Sequence, residues 1–238
     1  MAQENNENER VRAQRQKNAE RIELLESFVA AGVEIPCFDG VMIDSTVTIG
    51  KGTTVLPGTI LRGETAVGEN CVLGPNTLVE NSKIGNQVTL NSTQCYQSTV
   101  KDGANIGPFV HIRPNSVVGD SVHLGNFVEV KNSTIDTGTK VSHLTYVGDS
   151  DVGKKVNFGC GTVTVNYTGQ AKFRTTIKDN AFIGCNTNLI APVTVGEGAY
   201  TAAGSTITED VPADALGIAR ARQVNKPDWC LHRGEKKK

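Results

Sequence analysis

Aliphatic residues recur at every sixth position along most of the chain. From Ile43 they fall at Ile49, Val55, Leu61, Val67, Leu73 and Val79; a second run takes Ile106, Ile112, Val118, Leu124 and Val130; a third takes Ile177, Ile183, Leu189, Val195, Thr201 and Ile207. Glycine follows many of them directly, as in Ile49-Gly50, Val67-Gly68, Leu124-Gly125 and Ile183-Gly184. A period of six fits neither the 3.6-residue helix nor the two-residue alternation of an ordinary strand. It is the pattern of a solenoid built from hexapeptides, each supplying one short strand and a turn. Three hexads close a triangular coil of roughly 18 residues whose aliphatic side chains point into the prism, and the span from Ile43 to Ile207 predicts about nine coils.

The step shortens to five residues between Val79 and Ile84 and again between Val130 and Ile135, and the stretch from Phe158 to Ile177 is 19 residues long where 18 would keep step. Irregularities in solenoids gather on the binding face, which points to Gly159 through Thr176 as a functional segment. Ahead of the repeats, residues 8–31 predict a helix with Ile22, Leu25, Phe28 and Val29 on one stripe and Gly32 just past its end, serving as a cap or packing arm. After Ile207 the repeat is expected to stop. The chain therefore divides into a polar N-terminus and helical arm over 1–40, a β-helix over 41–210 and an irregular tail over 211–238 whose last, lysine-rich residues are expected to be disordered.

Composition agrees with a narrow prism. Aromatics are 5% of the chain and there are 25 glycines, as expected where rings fit poorly and corners need positive φ. With 24 Lys and Arg against 25 Asp and Glu, the net charge of -1 does not suit a nucleic-acid binder. No stretch approaches the roughly 18 apolar residues of a membrane span and the start, MAQENNENER, is polar, so a cytoplasmic protein is expected. The six cysteines are far apart without a CxxC pair and are expected as free thiols.

Arg113 and Lys131 are 18 residues apart in an unbroken run, which stacks them on neighbouring coils about 4.8 Å apart. Like charges so placed repel, so either the side chains splay into solvent or an anion sits between them, phosphate being the natural one. His111 and Glu129 share the adjacent column, which the five-residue step continues at Tyr146, three residues beyond His143. A histidine near a carboxylate is suited to general-base work near neutral pH, although a solenoid histidine is also commonly structural. The histidines do not have the spacing of a metal triad, and no metal site is expected.

The run RPNSVVGDSVHLGNFVEVKNS, with HLTYVGDSDVG, NFGCGTVTVNY, KFRTTI, LIAPVTVG and AAGSTITEDVP, resembles the acetyltransferase half of the bacterial bifunctional glucosamine-1-phosphate acetyltransferase and N-acetylglucosamine-1-phosphate uridyltransferase family. The resemblance is densest from about Ile106 to Trp229. It implies an all-β solenoid, a left-handed parallel β-helix, that acts as a homotrimer and transfers an acetyl group from acetyl-CoA to the 2-amine of glucosamine-1-phosphate, an amino sugar phosphate, in cell-envelope precursor synthesis. His143 is then the general base and Glu129 its support. Arg113, Lys131, Tyr146, Asn157 and Lys172 take the sugar phosphate, and Cys160, Asn166, Tyr167, Cys185, Ala203 and Arg220 line the acetyl-CoA site, with the Cys160 amide donating to the oxyanion.

Three positions depart from that family. Cys160 stands where alanine is common, Cys185 where serine is common, and Thr168 replaces an aspartate after the Asn-Tyr pair. The Gly-rich nucleotide motif of the uridyltransferase half has no counterpart here, so no uridyl transfer is expected. Two alternatives remain in view: an acetyl-CoA-dependent transferase with another amino sugar phosphate as acceptor, and a non-catalytic trimeric scaffold partnering a separate uridyltransferase.

Overall fold

The computed structural model describes residues 2–231, with side chains from residue 8 onward. A helix, Ala2–Ala30, leads into 27 short strands, all paired in parallel, which wind into a β-solenoid of about ten coils. Each coil has three faces. The first carries the column Asn105, His123, Lys140, Asn157, Phe182 and Tyr200. The second carries Gln94, His111, Glu129, Tyr146, Val163, Asn188 and Thr206. The third carries Thr99, Val117, Thr134, Asp151, Thr176 and Thr194.

The hexad residues fill the prism as expected: Leu61, Leu73, Leu90, Ile106, Ile112, Leu124, Ile183 and Leu189 are all fully buried. Cys95 belongs to the same set and replaces an aliphatic residue in the core. Most inward-facing hydroxyls bond to the main chain, as where Thr162 donates to Gly159 O at 2.8 Å and Thr187 to Gly184 O at 2.7 Å, whereas buried Thr175 Oγ1 has no partner among the described residues. All six cysteines are free.

Both five-residue steps are real, since Val67 pairs with Ile84 and Val118 with Ile135. The irregularity between Phe158 and Ile177 is larger than the expected single residue. Phe158 lies on the first face and Ile177 on the third, so they never stack; Phe158 pairs with Ile183 and Val152 with Ile177, a register 25 residues long. About seven extra residues leave the second face after Val165 and return at Thr175.

At the N-terminal end the helix begins earlier than residue 8, because nothing between Ala2 and Ala30 is a proline or glycine. Gly32 ends it at φ 97°, with Gly32 N–H donating to Val29 O and Val33 N–H to Phe28 O, both at 3.0 Å. These two bonds make a Schellman cap, closed by the packing of buried Val33. Leu25 is buried and Phe28 packs on the core, but Val29 turns outward. At the other end the coil outlasts Ile207: Tyr200 and Thr201 pair with Leu216 and Gly217, covering the last full coil. The lysine-rich end lies outside the described residues. Among those described, no helix is long and apolar enough to cross a membrane.

Candidate active site

The second face carries the charged groups. His111, Glu129 and Tyr146 stack in register, as do Arg113 and Lys131 one pleat further on. The two cations neither splay into solvent nor wait for an outside anion. Arg113 Nη1 donates to Glu129 Oε1 at 2.8 Å, and Lys131 Nζ meets Asp149 at 3.0 Å, so each has its own carboxylate. Lys172 reaches the same place from the extra segment, and with Arg113, Lys131, Asn132 and Asp149 it lines a cleft of about 370 Å3. Three cations and one carboxylate around a small cleft suit a phosphate.

Asp149 is the residue that sequence reading missed. It is 18 residues after Lys131, but the shortened coil puts Gly148 directly above Lys131 and moves Asp149 to the corner at φ 48°. The five-residue step was the available signal. Burial pushes the Asp149 carboxyl up, but hydrogen bonds from Asn132, Lys131 and Asn166 outweigh it and hold it below the usual carboxylate range. Burial likewise pulls Lys131 down, and its bond to Asp149 more than restores it, leaving the ammonium above its ordinary value. Both remain charged at neutral pH.

Gly148 has a second role. The Tyr146 ring folds back over it, and a Cβ at Gly148 would collide with the Tyr146 ring and hydroxyl. In that pose the Tyr146 hydroxyl accepts from Asn166 Nδ2 at 3.3 Å, and the same amide donates to Asp149. The extra segment is thereby tied to the second face. Its tip is a tight turn in which Thr168 N–H donates to Ala171 O at 3.0 Å. Tyr167 is exposed, with its hydroxyl donating to Gly169 O at 2.6 Å. Arg174 closes the segment with a two-pronged bond to Asp151 at 2.6 and 2.9 Å and two backbone carbonyl contacts. The Arg174 bonds hold the Asp151 carboxyl below its usual range. Nothing in the sequence reading had singled out Arg174.

His143 stands at the corner between the first and second faces, exposed, in the continuous strand Lys140–Gly148. It stacks on Asn126, so Glu129 lies three residues along the strand beneath it; among the described residues the two do not hydrogen-bond. Directly above His143 in register come Cys160, then Cys185, then Ala203. Main-chain bonds lock this corner, Asn186 N–H donating to Cys160 O at 2.7 Å and Gly204 N–H to Cys185 O at 2.8 Å. Above Ala203 the register passes to Ala219, and the Arg220 side chain lies beside Gly204. Among the described residues the Cys160 amide donates to no acceptor. Asn157 lies on the first face, three residues before Cys160, outside the cationic cleft. His143 thus stands where a corner column holding three of the residues singled out for acetyl-CoA borders the second face, whose far edge carries the cationic cleft.

The family model described as Bacterial transferase hexapeptide (six repeats) matches residues 46–81, 97–132 and 174–209. The Bifunctional protein GlmU of Halalkalibacterium halodurans is 52% identical over 222 residues, 93% of this chain and 49% of its own length. The chain belongs to the hexapeptide-repeat transferase family. A second family member, the Bifunctional protein GlmU of Caldanaerobacter subterraneus, is 51% identical over 229 residues, 96% of this chain and 50% of its own. The chain spans about half the length of these curated relatives and matches their C-terminal half. Among solved structures, the UDP-N-acetylglucosamine acyltransferase from Campylobacter jejuni aligns over 86% of this chain and 79% of its own at 16% identity and a TM-score of 0.48.

Proposed function

We propose that the chain transfers an acetyl group from acetyl-CoA to the 2-amine of glucosamine-1-phosphate, giving N-acetylglucosamine-1-phosphate. The observation that supports this reading is the second face, which carries the cleft of Arg113, Lys131 and Lys172 at one edge and His143, with the corner of Cys160, Cys185 and Ala203 above it, at the other. The cleft takes the phosphate and Tyr146 flanks the sugar ring, while Asn157 belongs to the first-face side of the His143 corner. The corner and the segment carrying Asn166 and Tyr167 take the acyl donor, with Arg220 at the far end. A bound thioester supplies the electrophilic acyl carbon.

The chain's own groups do the rest. His143 removes a proton from the acceptor's 2-ammonium, which frees the nitrogen lone pair to attack the thioester carbonyl; collapse of the adduct breaks the C–S bond and releases CoA as the thiol, and such a base contributes typically ~10² to 10⁴-fold. The outward Cys160 N–H donates to the oxyanion that forms on the attacked carbonyl, and substitution of the side chain leaves that donor in place. Glu129 sits one register step below Tyr146 on the same face and orients Arg113.

The working unit in this proposal is a homotrimer. At the corner position where other coils have Gly58, Asn76, Gly161 or Asn186 in the left-handed region, three successive coils have Phe109, Phe127 and Leu144, all more than half exposed. Phe109 and Phe127 stack at 5.4 Å between ring centroids. This apolar stripe ends beside His143, so a neighbouring copy packed on it also closes the site.

The test is thiol release from acetyl-CoA with and without the phosphate on the acceptor. Arg113→Ala is expected to raise KM for glucosamine-1-phosphate by about 10- to 100-fold, the loss of one charged hydrogen bond, and to leave KM for glucosamine unchanged. An equal loss with both acceptors would remove Arg113 from phosphate binding.

A further inference from the structure

We propose that Asp149 is a positioning residue that holds Lys131 and Asn166 in one geometry and so sets the acceptor and acyl-donor subsites relative to each other. The assignment rests on the functional reading above. Asp149 is 4% exposed, and its two carboxylate oxygens accept from Lys131 Nζ at 3.0 and 3.3 Å, from Asn132 Nδ2 at 2.6 Å and from Asn166 Nδ2. Its amide donates to Lys131 O at 2.9 Å, and its carbonyl accepts from Thr175 N–H at 3.1 Å, where the extra segment rejoins the coil. Among the described residues it is the one carboxylate bonded to a residue of each proposed subsite.

The substitution Asp149→Asn separates positioning from mere charge. Asparagine is tolerated at the φ of 48°, so the backbone stays. It offers one acceptor oxygen and turns an NH2 towards three donors, so at least one of Lys131, Asn132 and Asn166 must move away. Electrostatics alone points the other way, since losing a carboxylate beside the cleft strengthens anion binding.

The experiment is steady-state acetyl transfer by the full chain, with each substrate varied in turn and a melting curve for each variant. Asp149→Asn is expected to raise KM for both glucosamine-1-phosphate and acetyl-CoA by about tenfold, with a smaller fall in kcat. Asn132→Gly keeps the left-handed backbone while removing the 2.6 Å donor, and is expected to raise both constants by roughly threefold. If Asp149→Asn fails to fold, Asn132→Gly decides alone. A lower melting temperature with both constants within twofold of wild type would make the role structural and overturn the assignment, as would a lower acceptor KM. A wild-type chain without acceptor-dependent thiol release would overturn the functional reading and this one with it.

Discussion

Position in the hexad decides what each thiol can do. Cys71 and Cys95 point into the prism, where burial raises both thiols, Cys95 to about 11, and keeps them protonated. Cys185 is exposed on the corner above Cys160 and His143, and Cys230 is exposed in the C-terminal segment. Iodoacetamide is therefore expected to modify Cys185 and Cys230 ahead of the buried pair. Saturating acetyl-CoA should slow labelling of Cys185 at least about fivefold and leave Cys230 unchanged, as read by peptide mass spectrometry; a Cys185 rate indifferent to acetyl-CoA would place the donor away from this corner. At this scale the sequence was legible wherever the period of six held. It stacked Arg113 on Lys131 and carried the column from His111 through Glu129 to Tyr146 across a five-residue step. It did not show Asp149, because the same step converts a spacing of 18 from a stacked position into a corner position, and side-chain pairing at a corner has no periodic signature.

Elements that break the period were read less well than those that keep it. The irregular segment was placed correctly between Gly159 and Thr176, but its length was not, because Val163 and Val165 continue an alternating apolar pattern up to the point where the chain leaves the face. The segment stays in place through Arg174, whose bonds to Asp151 and to the carbonyls of Asn132 and Ser150 bridge two coils. The ion pair is largely exposed, so its contribution to global stability is about 1 kcal/mol or less. Arg174→Ala is accordingly expected to move the melting temperature by no more than about 4 °C while increasing proteolytic cleavage within 166–174 several-fold and raising KM for acetyl-CoA. Unchanged cleavage would show that Asn166 and its bond to Asp149 suffice to hold the segment. The N-terminal helix had the opposite difficulty: its first residues have no apolar stripe to read, so a polar stretch without a breaker looked like a tail.

For the whole molecule, the stripe of Phe109, Phe127 and Leu144 is costly to an isolated coil, since a bulky residue held in the left-handed region costs of order 1–3 kcal/mol. Assembly offsets that cost by burying the side chains. Phe127→Asn should therefore relieve backbone strain in the single chain yet weaken the trimer, shifting the mass from three times 25.4 kDa towards the monomer on dilution and lowering turnover with it. A trimer of undiminished stability would move the interface to another face. The solenoid, its core and the charged face followed from spacing alone; the proposed reaction did not, because a hexapeptide prism is common to many activities, and it came from the motif resemblance between Ile106 and Trp229. The central claim is tested most directly by thiol release from acetyl-CoA with glucosamine-1-phosphate, comparing the intact chain with His143→Ala at matched assembly state. The account predicts acceptor-dependent release that falls by ~10² or more in the variant while its melting curve is unchanged, because His143 is exposed and contributes nothing to the prism. Equal turnover by the two proteins would contradict it.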